Sequence, residues 1–143
     1  MTRSHRREHV FKILFRYEFF DPNDFKEQAE LYFEDVVKDL SEDDTYIDDT
    51  ISDADKEDII SRVLDIYEHI NDIDEKLSKV SEGWKLERIG KAELSILRNA
   101  AYEIMYDPEL DNAVAISEAV ILSGKYCNEK SHSFVNGILA KLI

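Results

Sequence analysis

Only four glycines and two prolines interrupt 143 residues, and between them apolar residues recur at spacings of three and four. A chain with so few breakers and that period buries its apolar surface as helices laid against one another, so an all-α fold is expected. Val10, Ile13, Leu14 and Tyr17 fall on one face of a first helix over about 4–20. Asp21 and Pro22 supply an N-cap and a first-turn proline for a second helix over about 22–40, packed through Leu31, Val36, Val37 and Leu40. A polar connection over 41–52 leads to Asp53, which is expected to cap a third helix over about 54–70. Its inward face would carry Ile59, Ile60, Val63, Leu64 and Tyr67. A shorter helix over about 72–81 should end near Gly83.

The second half is more apolar. LERIGKAELSILRNAAYEIMY reads as helical through about 106, where Pro108 stops it. AVAISEAVILSGKYC continues at about 112–126. Ser131 is expected to cap the last helix, SHSFVNGILAKLI, which packs through Val135, Ile138, Leu139 and Leu142. Gly137 inside that helix costs about 1 kcal/mol relative to alanine, and close approach by a neighbouring helix is the expected compensation. The total is about seven helices, in one domain's length of chain or two small subdomains sharing a core.

Several function classes drop out. No apolar run approaches a membrane span, and the start lacks the apolar stretch and cleavage site of a signal peptide. Cys127 is the sole cysteine, which precludes an intrachain disulfide and favours a reducing, cytoplasmic setting. The formal net charge is −14, yet residues 1–20 carry five basic and two acidic side chains. Residues 21–82 carry six basic and twenty-two acidic ones. So acidic a surface repels nucleic acid broadly, and any such contact must use a local basic patch.

His5-Arg-Arg-Glu8-His9 fits the inverted zinc-peptidase pattern H-x-x-E-H, but the only other histidines, His69 and His132, sit in no second ligand motif. An EF-hand loop started at Asp53 would put Asp58 at the glycine position and Leu64 at the bidentate glutamate position, which fails. There is no glycine-rich phosphate loop, and Ser131-His132 is too ordinary to argue for a nucleophile. No enzymatic activity, metal or cofactor is expected. The basic end is more informative. His5, His9, Lys12 and Arg16 form one helical stripe bordered by Phe15 and Phe19, and Arg6 and Arg7 precede it. Arginine forks match phosphate oxygens, and aromatic rings stack on unpaired bases, so the residues by themselves leave two readings, a contact for single-stranded RNA and a plain solvated basic helix.

Trp84 with Leu86 and Arg88, the Leu97-Arg98 pair, Tyr102-Glu103, Ile116, Glu118 and the run Phe134-Val-Asn-Gly137 together resemble the NusB family of bacterial transcription antitermination factors. Arg7-Glu8 and Leu14-Phe15 are similar to that family's arginine-rich first helix. The resemblance covers residues 84–143 well and 3–18 moderately. It implies two helical subdomains, about 1–82 and 83–143, and a non-enzymatic role. It also implies binding of boxA, a short single-stranded RNA element of ribosomal RNA leaders, together with the ribosomal protein NusE. The pair would serve the RNA polymerase antitermination complex.

Carried over by position, Arg3, Arg7, Lys12 and Phe15 match the family's RNA-facing first helix, to which Arg6 and Arg16 are added as neighbouring cations. Tyr126, Lys130 and Phe134 match its second RNA-facing segment, and Glu93 lies where the family places an acidic residue near the partner interface. The family usually has tyrosine where Phe15 stands, and often lysine where Gly124 stands. Two other readings stay open: a helical adaptor without RNA binding, and a relative of the NusB-like domain of ribosomal RNA cytosine methyltransferases. The chain carries no Rossmann-like segment or catalytic cysteine motif, which argues against that enzyme itself. A weak homodimer is left open.

Overall fold

The computed structural model describes residues 1–17, 21–42, 51–81, 83 and 85–143. Among them are seven α-helices, two short 3₁₀ turns and no strand, as expected of an all-α chain. The helices are α1 (Arg3–Tyr17), α2 (Phe25–Glu42), α3 (Asp53–Glu68), α4 (Ile70–Val80), α5 (Lys91–Tyr106), α6 (Asn112–Tyr126) and α7 (Glu129–Ala140). Two compact units divide the chain at Met1–Asp65 and Ile66–Ile143. The sequence division at about 82 would leave α4 in the first unit, whereas α4 packs on α5 in the second.

In the first unit α1 buries Val10, Ile13 and Leu14, joined by Phe11. The α2 stripe is Phe25, Ala29, Tyr32 and Phe33. Leu31, expected in that core, is 36% exposed. At 100° per residue it points away from the side shared by 25, 29, 32 and 33. The side chains of Tyr17, Val36, Val37 and Leu40 lie outside the described residues, as do Phe19, Trp84 and 43–50. In α3, Ile59 and Val63 are buried, while Ile60, Leu64 and Tyr67 are half-buried. The α3 cap is Ser52 rather than Asp53. Its Oγ accepts from the Asp55 N–H at 3.1 Å and donates to Asp55 Oδ2 at 2.9 Å. Ser52 thus supplies the N-cap half of a capping box, while its hydroxyl rather than its backbone N–H meets the Asp55 carboxylate.

The second unit is built around α5. Ten consecutive residues, Leu94 to Glu103, are buried, and a helix enclosed on all sides belongs at the centre. It packs against α4, α6 and α7. Arg98, only 8% exposed, forks onto Asp74 of α4, donating from Nε to Oδ1 and from the NH2 nitrogen to Oδ2, each at 2.9 Å. Helices α6 and α7 bury matching stripes, Ala115, Ala119, Leu122 and Ser123 against Ser131, Val135, Ile138 and Leu139. The small residues of α6 allow close helix approach.

Three local expectations are corrected here. The helix foreseen from Leu86 is interrupted: a 3₁₀ turn, Leu86–Arg88, is followed by extended backbone at Ile89 and Gly90 before α5 begins. Ile89 and Leu94, the two positions of a hydrophobic staple, are both buried. Ser131 does not cap α7. Asn128 does, its side-chain oxygen accepting from the Ser131 N–H at 3.2 Å. No neighbouring helix closes on Gly137 either, because a Cβ there would meet nothing within 4 Å. With the cost of glycine uncompensated, Gly137→Ala should raise stability by up to about 1 kcal/mol in urea denaturation. A loss of stability would mean that the position is crowded.

Candidate nucleic-acid interface

Helix α1 starts at Arg3 after Thr2, whose Oγ1 accepts from the His5 N–H at 3.1 Å. Its first turn contains no acidic residue but carries Arg3 and Arg6, with Arg7 just beyond. Cations at a helix N-terminus oppose the macrodipole, so this placement is unfavourable for the helix by itself. The compensating acid comes from α3. Arg6 donates to Asp55 Oδ1 at 2.7 Å and lies 3.7 Å from Asp58 Oδ2. That hydrogen bond from Arg6, with a second from Ser52, holds the Asp55 carboxyl below its ordinary range.

The other cations of α1 are distributed unequally. Arg3 is exposed, and Arg7 and Lys12 are half-buried. Lys12 lies 3.9 Å from Glu8. Arg16 donates to Asp35 Oδ2 at 3.1 Å, and its guanidinium sits 5.0 Å from the centroid of the Tyr32 ring. His9 does not extend an open basic stripe with His5. Its Nδ1 and the Tyr32 hydroxyl share a 2.6 Å hydrogen bond, which draws the imidazole toward α2. Phe15 is half-buried, with its ring 6.5 Å from that of Phe11.

The second set of sequence-predicted residues lies in the other unit. Tyr126 ends α6 and is 37% exposed, with Lys125 Nζ 5.5 Å from its ring. Lys130 is exposed in the first turn of α7, and half-buried Phe134 follows one helical turn later. Gly124 has a local use. A Cβ there would come within 2.9 Å of His132 Nε2, so the glycine leaves room for that ring. Lysine at this position would displace it.

Glu93 is tied inward rather than extended into solvent. Ser131 Oγ donates to Glu93 Oε1 at 2.8 Å, linking α5 to the first turn of α7. The carboxylate also folds over Gly90, occupying the space that any Cβ there would need. Burial, then the Glu93 charge and hydrogen bond, push the Cys127 thiol up to about 11. The thiol is therefore protonated at neutral pH. Sequence reasoning did not single out Asp55, Tyr32 or Asp35, and it named Ser131 as a helix cap rather than as the partner of Glu93. The Ser-x-x-Asp spacing was the one local signal for Asp55, since its partner Arg6 lies 49 residues away.

The NusB family model matches residues 4–143. The chain belongs to the NusB family. It is 42% identical over 143 residues to the transcription antitermination protein NusB of Lachnoclostridium phytofermentans, covering 100% of this chain and 99% of that one. The Agathobacter rectalis protein of the same name is 40% identical over 141 residues, covering 99% and 98%. A crystal structure of T. maritima NusB superposes with a TM-score of 0.80 at 30% identity, covering 99% of this chain and 90% of that one. The helical order described above is therefore that of a NusB fold, and no helix among the described residues is long and apolar enough to cross a membrane.

Asp55 gives the first helix of this NusB fold a pH signature. Its depressed carboxyl pKa contributes stability that is full above the unfolded value of about 3.9 and is lost as pH falls through the folded value. Asp55→Asn should melt earlier than wild type at pH 7, with the difference closing as pH drops below 4. An equal gap at both ends of a pH series would remove the ion pair from the account.

Proposed function

We propose that the chain is a transcription antitermination factor that binds boxA-type single-stranded RNA of ribosomal RNA leaders together with NusE, helping RNA polymerase read through terminators. The observation that carries this reading is end-to-end similarity, at 42% identity, to a protein named as a transcription antitermination protein. The role is non-enzymatic and the setting cytoplasmic. Arg3, Arg7, Lys12 and Phe15 on α1, with Tyr126, Lys130 and Phe134 in the second unit, are proposed as the RNA-contacting groups. Arg6 is assigned to holding α1 through Asp55, and Arg16 to an exchangeable contact. Glu93 is proposed to serve the partner surface indirectly, by fixing the start of α7.

Charge explains why a partner is needed. A first segment with a net +3 is attached to a remainder of −17, so the long-range field disfavours RNA until a basic protein such as NusE covers part of it. The protein should therefore bind labelled boxA RNA weakly alone and more tightly with NusE. Equal affinities would contradict this. Arg7→Ala should reduce the log–log salt slope by about 0.7, whereas Phe15→Ala should cost roughly 1–3 kcal/mol of binding with the slope nearly intact. Melting curves on both variants separate lost contact from lost fold.

A further inference from the structure

We infer that Asp35 is a specificity-determining residue that occupies the phosphate position on Arg16 and holds off RNA unable to displace it. The inference rests on the RNA-binding reading above. Arg16 is held from two directions: its guanidinium lies over the Tyr32 ring at 5.0 Å, and its NH2 nitrogen donates to Asp35 Oδ2 at 3.1 Å. Tyr32 is 3% exposed, and its hydroxyl is hydrogen-bonded to His9, so the ring is a fixed support. Asp35 follows one turn later on α2 and brings its carboxylate to the guanidinium. A carboxylate and a phosphodiester present similar oxygen pairs to that donor fork.

What separates a seat from a structural ion pair is how easily the anion leaves. The Asp55 side chain, paired with Arg6, is 10% exposed and is also held by Ser52. The Asp35 side chain is 60% exposed and meets Arg16 through a single 3.1 Å hydrogen bond. An exposed pair of this kind is weak and screened by salt. A phosphate delivered in register by other contacts can therefore replace Asp35 while Tyr32 keeps Arg16 in place. RNA that arrives without those contacts meets a neutralised arginine on a protein of net charge −14.

The test compares Asp35→Asn with Glu34→Gln, which removes the same charge from the neighbouring exposed position on α2. Each would be titrated with boxA RNA, a scrambled RNA of equal composition, and inorganic polyphosphate. Asp35→Asn should tighten scrambled-RNA and polyphosphate binding by about 1.5- to 5-fold. It should also steepen the log–log salt slope by up to about 0.7. BoxA affinity should rise less, so the discrimination ratio falls. Glu34→Gln should reproduce none of this, and adding Arg16→Gln to Asp35→Asn should abolish the gain. Equal effects of the two acidic substitutions, or a gain that survives loss of Arg16, would overturn the inference. Wild-type protein that fails to prefer boxA over scrambled RNA would instead count against the function proposed above, because the polyphosphate arm reads the Asp35 effect without any sequence preference.

Discussion

The hydrogen-bonded ion pair between Arg6 and Asp55 is the contact on which the basic helix depends. It joins residues 49 apart at 2.7 Å and answers the unfavourable charge at the start of α1. Asp55 can do so because the Ser52 cap fixes its backbone and one carboxylate oxygen, leaving the other for the guanidinium. Acidic residues are favoured in a first helical turn, so the same carboxylate also suits α3. One capped turn of an acidic helix thereby anchors a helix with cations where its dipole disfavours them. A chain selected for helix stability alone would not place Arg3, Arg6 and Arg7 there, and local conflicts of this kind are expected at functional or strained sites.

A comparable division of labour runs through the second unit. Arg98 and Asp74 fix α5 to α4 by a two-bond fork, and the Ser131–Glu93 hydrogen bond fixes α5 to α7. Lys130 and Phe134 flank Ser131 on α7, so the side chains proposed to face RNA stand on a helix whose first turn is held from within. Gly124 and His132 show the same economy of space between α6 and α7, since the ring lies where any larger residue at 124 would sit.

Much of this was legible from apolar spacing: the all-helical class, the number of helices and most inward faces. The misses have local causes. Ser52 stands beside Asp53 and Asn128 lies three residues before Ser131, so each helix start offered two competent capping residues and spacing did not choose between them. Leu31 was assigned to the core by residue type, although the stripe through Phe25, Ala29, Tyr32 and Phe33 excludes it. Gly90 reads as an ordinary helical residue until the Glu93 carboxylate is seen lying over it. In the candidate site, residue types on α1 identified the cations but not their unequal states. Asp35 and Asp55 lie 19 and 49 positions from their arginines, beyond any helical period.

Basic and aromatic side chains on α1 and on α6 and α7 of an otherwise acidic NusB-family chain are proposed to receive single-stranded RNA. The most direct test is residue-by-residue NMR perturbation of the full chain on titration with boxA RNA in the presence of NusE, referenced to the NusE complex without RNA. RNA-dependent shifts are expected to concentrate at Arg3, Arg7, Lys12 and Phe15 and at Tyr126, Lys130 and Phe134. Shifts concentrated along the acidic exposed positions of α3 and α4, with α1 and α7 unmoved, would contradict it.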